Sequence, residues 1–124
     1  MHRQRYLEQA RATRRERWLR ERAARYGITV DQYRELEASS RGRCYICGAA
    51  ARGRSLSVDH CHDTGRVRGL LCHHCNTAIG LFREDPAFIA ESLVYLVGVS
   101  ESFDVLIDAA RRRYITFREA VAAR

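Results

Sequence analysis

Lysine is missing from this 124-residue sequence, and all 22 of its basic residues are arginine. Codon usage in a GC-rich genome explains the missing lysine; it does not explain a formal charge of +7 with a pI near 9.6. Arginine grips phosphate through two parallel N–H bonds and stacks on bases, so the excess points to a nucleic-acid partner. No apolar run approaches the roughly 20 residues that cross a bilayer, and the opening stretch MHRQRYLEQARATRRERW lacks the apolar segment of a secretory signal. Membrane-spanning and exported classes are set aside, and the expected location is cytoplasmic. Internal repeats and low-complexity linkers are also lacking, and the length suits one modest domain with extensions. The five cysteines cannot all pair with one another, and four of them stand in two C-x-x-C pairs. In a reducing compartment that arrangement speaks for metal rather than disulfides.

What is present divides the chain into a basic helical arm over 1–27, a core over 28–98 and a short helical extension over 99–124. In the arm, nine arginines between Arg3 and Arg25 face only Glu8, Glu16 and Glu21, and the pattern reads as a helix. Its apolar positions, Leu7, Ala10, Trp18, Leu19, Ala23 and Tyr26, make a broken stripe that packing holds weakly. We expect this helix to lie on phosphate; the competing reading packs it on the C-terminal helices or on a second subunit. A second helix starts at Thr29, with Gln32 completing a capping box and Ile28 placed to staple onto Tyr33, and stops at Ser39, Ser40 and Gly42. Alternation from Leu56 to Leu71 on both sides of Asp63, Thr64 and Gly65 predicts a β-hairpin, with Leu56 and Val58 on one face and Val67, Gly69 and Leu71 sharing another. A further helix has Asp85 as its cap, Pro86 at its first position, Ile89, Leu93 and Leu96 on one face and Gly98 as its stop. Two shorter helices are expected around 103–114 and 117–123.

Cys44 and Cys47, then Cys72 and Cys75, form C-x2-C-x24-C-x2-C, two knuckles that can each give two thiolates to one tetrahedral Zn2+. A hairpin between them returns the chain to its starting point, so the long spacer is no obstacle. Cys61 falls inside the hairpin and is expected to be a small, buried or half-buried strand residue with a free thiol. His73 and His74 lie between the second pair and are expected to point away from the metal, toward solvent or phosphate. Four thiolates leave no open coordination position, so such a zinc holds structure and any chemistry must use other groups.

Those other groups are Asp59, His60 and His62 on the first strand and Asn76 directly after the last cysteine. Phosphodiester hydrolysis needs a base for water and a hard cation for the developing charge. The Asp59 carboxylate and the Asn76 carbonyl oxygen suit Mg2+, and His60 has the right basicity. Strand alternation places Asp59 and His60 on opposite faces, so they serve one phosphate only if the strand twists or the substrate crosses its end. Each residue also has a plain alternative: Asp59 can cap the turn, His60 can pack on a knuckle, and Asn76 can cap a helix.

The stretches YGITVDQYRELEASSRGRCYICG and LSVDHCHDTGRVRGLLCHHCNTAIGLFREDP, with the helix that follows, resemble the recombination endonuclease VII family of HNH nucleases over Tyr26 to Leu96. The resemblance implies an α+β, mostly helical fold with a zinc-stapled ββα-metal (HNH, His-Me finger) core. It implies zinc on Cys44, Cys47, Cys72 and Cys75, a catalytic Mg2+ or Mn2+ on Asp59 and Asn76, His60 as general base and His62 as a supporting active-site residue. DNA is the implied partner, with a homodimer or a larger phage or bacterial DNA-processing complex as the implied assembly. The sequence departs from the family where some members carry an acidic residue three positions after the Asn, which here is Ile79. Its C-terminal part, 99–124, does not match the dimerisation and junction-binding region of the founding phage enzyme. Two readings from other classes compete: a non-catalytic zinc module that binds nucleic acid through its arginines, and a zinc-dependent domain for a protein partner. The first leaves the Asp-His pair and Asn76 without a task; the second leaves the charge idle as well.

Overall fold

The basic segment folds as one helix, α1 (His2–Arg25), whose two halves differ in what holds them. Tyr6 and Leu7 in the first half are exposed, whereas Leu19 and Ala23 in the last turns are buried, with Trp18 and Tyr26 packed beside them. Tertiary packing of one end, rather than helix propensity, therefore anchors α1. The computed structural model describes residues 1–51, 53–98 and 104–112. Gly27, at φ 66°, breaks the helix, and the capping box of Thr29 and Gln32 starts α2 (Val30–Ser40) as expected. α2 closes on Arg41 in the left-handed region, followed by Gly42 at φ 67°.

Two arginines of α1 are committed to this helix pair. Arg15 bonds both oxygens of Glu37 at 2.7 Å and lies 4.6 Å from the Trp18 ring. Arg22 lies over Trp18 and Tyr33, which meet edge to face at 5.8 Å, and donates to the Leu56 carbonyl. From the other side, Arg34 of α2 reaches back to Glu16 at 2.6 Å.

The hairpin consists of β1 (Ser57–His60) and β2 (Val67–Leu71), antiparallel, with Gly65 at φ 72° in the turn. Val58 pairs with Leu70, Asp59 with Gly69, and His60 with Val67, so Arg68 has no partner position and forms a bulge. Leu56, Val58 and Leu70 join Leu19, Ala23 and Tyr33 in the buried core. The bulge corrects one expectation: Val67 packs against this core instead of sharing a face with Gly69 and Leu71, because one extra residue inverts the alternation.

The helix of the expected ββα core follows at once, but starts earlier than expected: α3 (His73–Leu81) begins inside the second cysteine knuckle, ahead of Asn76. Asp85 then caps α4 (Pro86–Val97) through the backbone N–H groups of Ala87 and Phe88, and Gly98 ends it. No residue of α4 is buried, and Phe88, Tyr95 and Leu96 are exposed. Residues 104–112 form α5. The helix expected at 117–123 lies outside the described residues. The chain is thus mostly helical around a two-stranded antiparallel sheet, and among the described residues no helix is long and apolar enough to cross a membrane.

The core is small, so each member counts. Replacing Leu70 by Ala is expected to lower unfolding stability by about 2–4 kcal/mol, whereas Leu81→Ala, at an exposed position, should change it by less than about 0.5 kcal/mol. Denaturant titration of the two variants checks the pair.

Candidate metal centre and the cleft beside it

The first knuckle is a tight turn held by backbone bonds. The Cys44 N–H donates to Ala49 O and the Gly48 N–H to Cys44 O, both at 2.9 Å, and Gly48 takes φ 71°. The Tyr45 N–H donates to Leu70 O at 3.0 Å, which ties the turn to β2. The second knuckle is the start of α3. Cys72 is its N-cap, and its sulfur accepts from the Cys75 N–H at 3.4 Å.

The four sulfurs of Cys44, Cys47, Cys72 and Cys75 lie within 4.8 Å of one another, and those of Cys47 and Cys72 are 3.8 Å apart. A tetrahedral zinc with Zn–S bonds of about 2.3 Å sets its sulfurs about 3.8 Å apart, so the cluster fits that ion. The thiols are electrostatically uneven. Burial pushes Cys44 up, but backbone N–H groups of Cys47, Cys72 and Ile46 aimed at its sulfur outweigh this and bring it down to about 7. Burial, reinforced by the thiols of Cys72, Cys47 and Cys44, pushes Cys75 well above the usual thiol range. Four crowded sulfurs do not ionise together without a cation among them. His73 and His74 are exposed on the first turn of α3 and belong to no such cluster.

Beside the knuckles, the sheet face that carries Asp59, Gly69 and Leu71 opens on a cleft of about 290 Å³, closed by Tyr45, Ile79 and Glu84. Asp59 is 7% exposed. Arg68, re-aimed by the bulge, takes both of its oxygens: Nε donates to Oδ2 at 2.7 Å and Nη2 to Oδ1 at 2.9 Å. The same guanidinium donates to the His60 carbonyl and to Glu84 Oε2, each at 3.3 Å. The bidentate Asp59 contact raises Arg68 above its already high value.

Glu84 is brought in by unusual backbone. Arg83 and Glu84, just beyond α3, both take left-handed conformations, φ 56° and 57°. Such conformations cost a non-glycine residue of order 1–3 kcal/mol each and persist only where surroundings enforce them. The Glu84 carboxylate accepts from His62 Nδ1 and from the His62 backbone N–H. Desolvation pushes Glu84 up, but these bonds and the Arg68 charge outweigh it and hold the carboxyl below its usual range.

The expected site residues are thus distributed as follows. Asp59 and His60 end β1 on opposite sides, and His60 is half-buried with its ring 5.4 Å from Tyr26. His62 lies in the turn rather than on the strand, because β1 stops at His60, yet its ring is 4.9 Å from that of His60. Cys61 is half-buried with a free thiol, as expected, but also lies past the strand end. The Thr64 hydroxyl, with the backbone of Thr64 and Asp63, lowers its thiol. Asn76 stands on α3 one turn before Ile79, a residue that lines the cleft. Arg68 and Glu84 were not anticipated. Arg68 had a signal, a lone charge in the apolar run VRGLL; Glu84 had none.

A hairpin and a following helix clasped by four cysteines, with an Asp-His pair at the strand end, define the class of domain. The chain belongs to the recombination endonuclease VII family, whose sequence model matches residues 6–98. It is 46% identical over 76 residues to the Gene 59 protein of Mycobacterium phage L5, covering 60% of this chain and 46% of that protein. The Gene 59 protein of Mycobacterium phage D29 is 45% identical over 75 residues, covering 59% and 46% respectively. The matched segment therefore spans somewhat under half the length of these relatives. No solved structure matches significantly.

Because binding energy at a structural four-thiolate site is folding energy, one tightly held zinc per chain and loss of fold on its removal are expected. Metal analysis of purified protein and circular dichroism during chelation check this, with Cys72→Ser largely unfolded. Unchanged dichroism after complete metal removal would contradict it.

Proposed function

We propose that the chain is a divalent-metal-dependent DNA endonuclease of the HNH type. Zinc on the four cysteines holds a ββα core over 28–98, His60 activates water, Asp59 and Asn76 hold Mg2+ or Mn2+, and His62 supports the site. The observation that carries this reading is the placement of Asp59 and His60 at a bulged strand end, beside the helix of Asn76, in a chain of this family. A bulge increases local twist, and the strand stops at His60, which answers the objection that adjacent strand residues face apart. A phosphate lying across that end meets both.

In this reading His60 accepts the proton of the attacking water as its oxygen bonds to phosphorus. The bond to the leaving 3′ oxygen breaks, giving 5′-phosphate and 3′-hydroxyl ends. The His60 ring lies against the Tyr26 and His62 rings, and its side chain is in no ion pair or hydrogen bond among the described residues. The Asp59 carboxylate and Asn76 carbonyl are hard oxygens of the number Mg2+ takes from protein, and each Asp59 oxygen retains a lone pair beyond its bond to Arg68. Such a cation supplies charge stabilisation on the phosphate and leaving oxygen.

DNA is approached by the free side of α1. Arg3, Arg11, Arg14 and Arg25 recur at helical spacing on one stripe and make no ion pair among the described residues, unlike Arg15, Arg17 and Arg20. A helix of 24 residues reaches about 36 Å, the length of one duplex turn. The extension over 99–124 and any dimer or larger complex have no assigned part in cleavage.

One observation favours a second reading, a non-catalytic zinc module that binds nucleic acid: both Asp59 oxygens are held by Arg68, as in a purely structural ion pair. His60→Ala separates the two. On a panel of branched, nicked, duplex and single-stranded DNA with Mg2+, it is expected to keep zinc and fold and to lose cleavage by about 10²-fold or more. Cleavage equal to the parent's transfers the case to the binding module. Replacing Arg11 and Arg14 by Gln is expected to weaken DNA binding and to make its log-log salt slope shallower by about 0.9 for each phosphate left without its arginine. Affinities at several salt concentrations check this, and an unchanged slope removes the stripe from the interface.

A further inference from the structure

Arg68 stands between two carboxylates of unequal claim. It grips Asp59 with two bonds of 2.7 and 2.9 Å and touches Glu84 with one of 3.3 Å. Its side chain is 31% exposed, while those of Asp59 and Glu84 are 10% and 15% exposed. A guanidinium in this position already does two things that a divalent cation would do: it neutralises Asp59 and engages both of its oxygens. The two cations therefore compete for one carboxylate. An arginine displaced from Asp59 in a half-closed cleft needs another anion at once, since a charge left there without a partner is costly. Glu84 is that anion, already in contact, and two left-handed residues at the end of α3 hold it in place.

We propose that Arg68 and Glu84 are positioning residues that set divalent-cation binding at Asp59: Arg68 competes with the cation, and Glu84 receives the guanidinium when the cation enters. This rests on the reading of Asp59 as a cation-holding residue. The exchange breaks no covalent bond. The guanidinium pivots from a two-point grip on Asp59 to Glu84, and His62, which shares the Glu84 carboxylate, is held beside His60 throughout. The bulge inserts this arginine across from Asp59, the buried acid of β1.

The test is a Mn2+ titration of the full-length, zinc-loaded protein, with free Mn2+ read by electron paramagnetic resonance. Arg68→Gln is expected to tighten Mn2+ and Glu84→Gln to loosen it, each by about fivefold, the scale of a partly exposed ion pair. In the Arg68→Gln background, Glu84→Gln should then have no further effect, because Glu84 acts through the arginine. Unchanged or weaker binding in Arg68→Gln overturns the proposal. So does an equal loss from Glu84→Gln in both backgrounds, which makes Glu84 a direct cation partner. Should Arg68→Gln lose its fold or zinc, Arg68→Lys, which keeps the charge but not the two-point grip, must still tighten Mn2+, and no change there overturns the idea. Asp59→Asn tests the underlying reading separately: if it leaves Mn2+ binding untouched, Asp59 holds no cation, whatever the Arg68 variants do.

Discussion

Everything in this fold hangs on four sulfur atoms brought together from two points 25 residues apart in the chain. Cys44 and Cys47 sit on a turn whose backbone is bonded to β2, while Cys72 and Cys75 open α3. Closing the cluster therefore shuts the base of the hairpin and fixes the direction in which α3 leaves it. Few apolar side chains are fully buried, and they come from α1, α2 and the hairpin, with none from α3 or α4. Zinc sites of this type contribute about 10–16 kcal/mol, as much as the whole net stability of an ordinary domain. A zinc ion held by these cysteines would supply for the α3 side what the core supplies for the α1 side.

The second constraint is the one-residue bulge at Asp59 and His60. It has two consequences that pull in opposite directions along the sheet. Val67 is turned into the core, where it adds apolar packing, and Arg68 is turned out to meet Asp59. A buried carboxylate is thereby balanced, and the balancing charge is linked through Glu84 to His62 and so to the neighbourhood of His60. The two faces of the hairpin differ: the Val58 and Leu70 face makes the core, and the Asp59 face lines the cleft.

Much of this is legible in the sequence because it rests on local signals. The basic helix, the Thr29 capping box, the hairpin around Asp63 to Gly65, the Asp85 and Pro86 start of α4 and the paired cysteines each announce themselves within a few residues. What stays hidden depends on tertiary placement. Alternation cannot show a bulge, so it puts Val67 on the wrong face and gives Arg68 no role. The start of α3 is concealed because its first residues double as a zinc knuckle and none of its side chains is buried. Glu84 reaches the cleft only through two consecutive left-handed residues, a conformation with no glycine or asparagine to signal it. The last turns of α1 also join the core, since Leu19 and Ala23 find Tyr33 and the hairpin only once the chain has folded.

In the function proposed, zinc holds the fold while a different cation serves the chemistry. Cleavage of supercoiled plasmid DNA by the zinc-loaded protein, with Mg2+ or Mn2+ added and then withdrawn by a weak chelator while bound zinc is measured in parallel, tests it directly. No cleavage is expected with zinc alone, cleavage should follow the added cation, and one zinc per chain should remain throughout. Cleavage that persists with zinc alone, indifferent to Mg2+ and Mn2+, would contradict it.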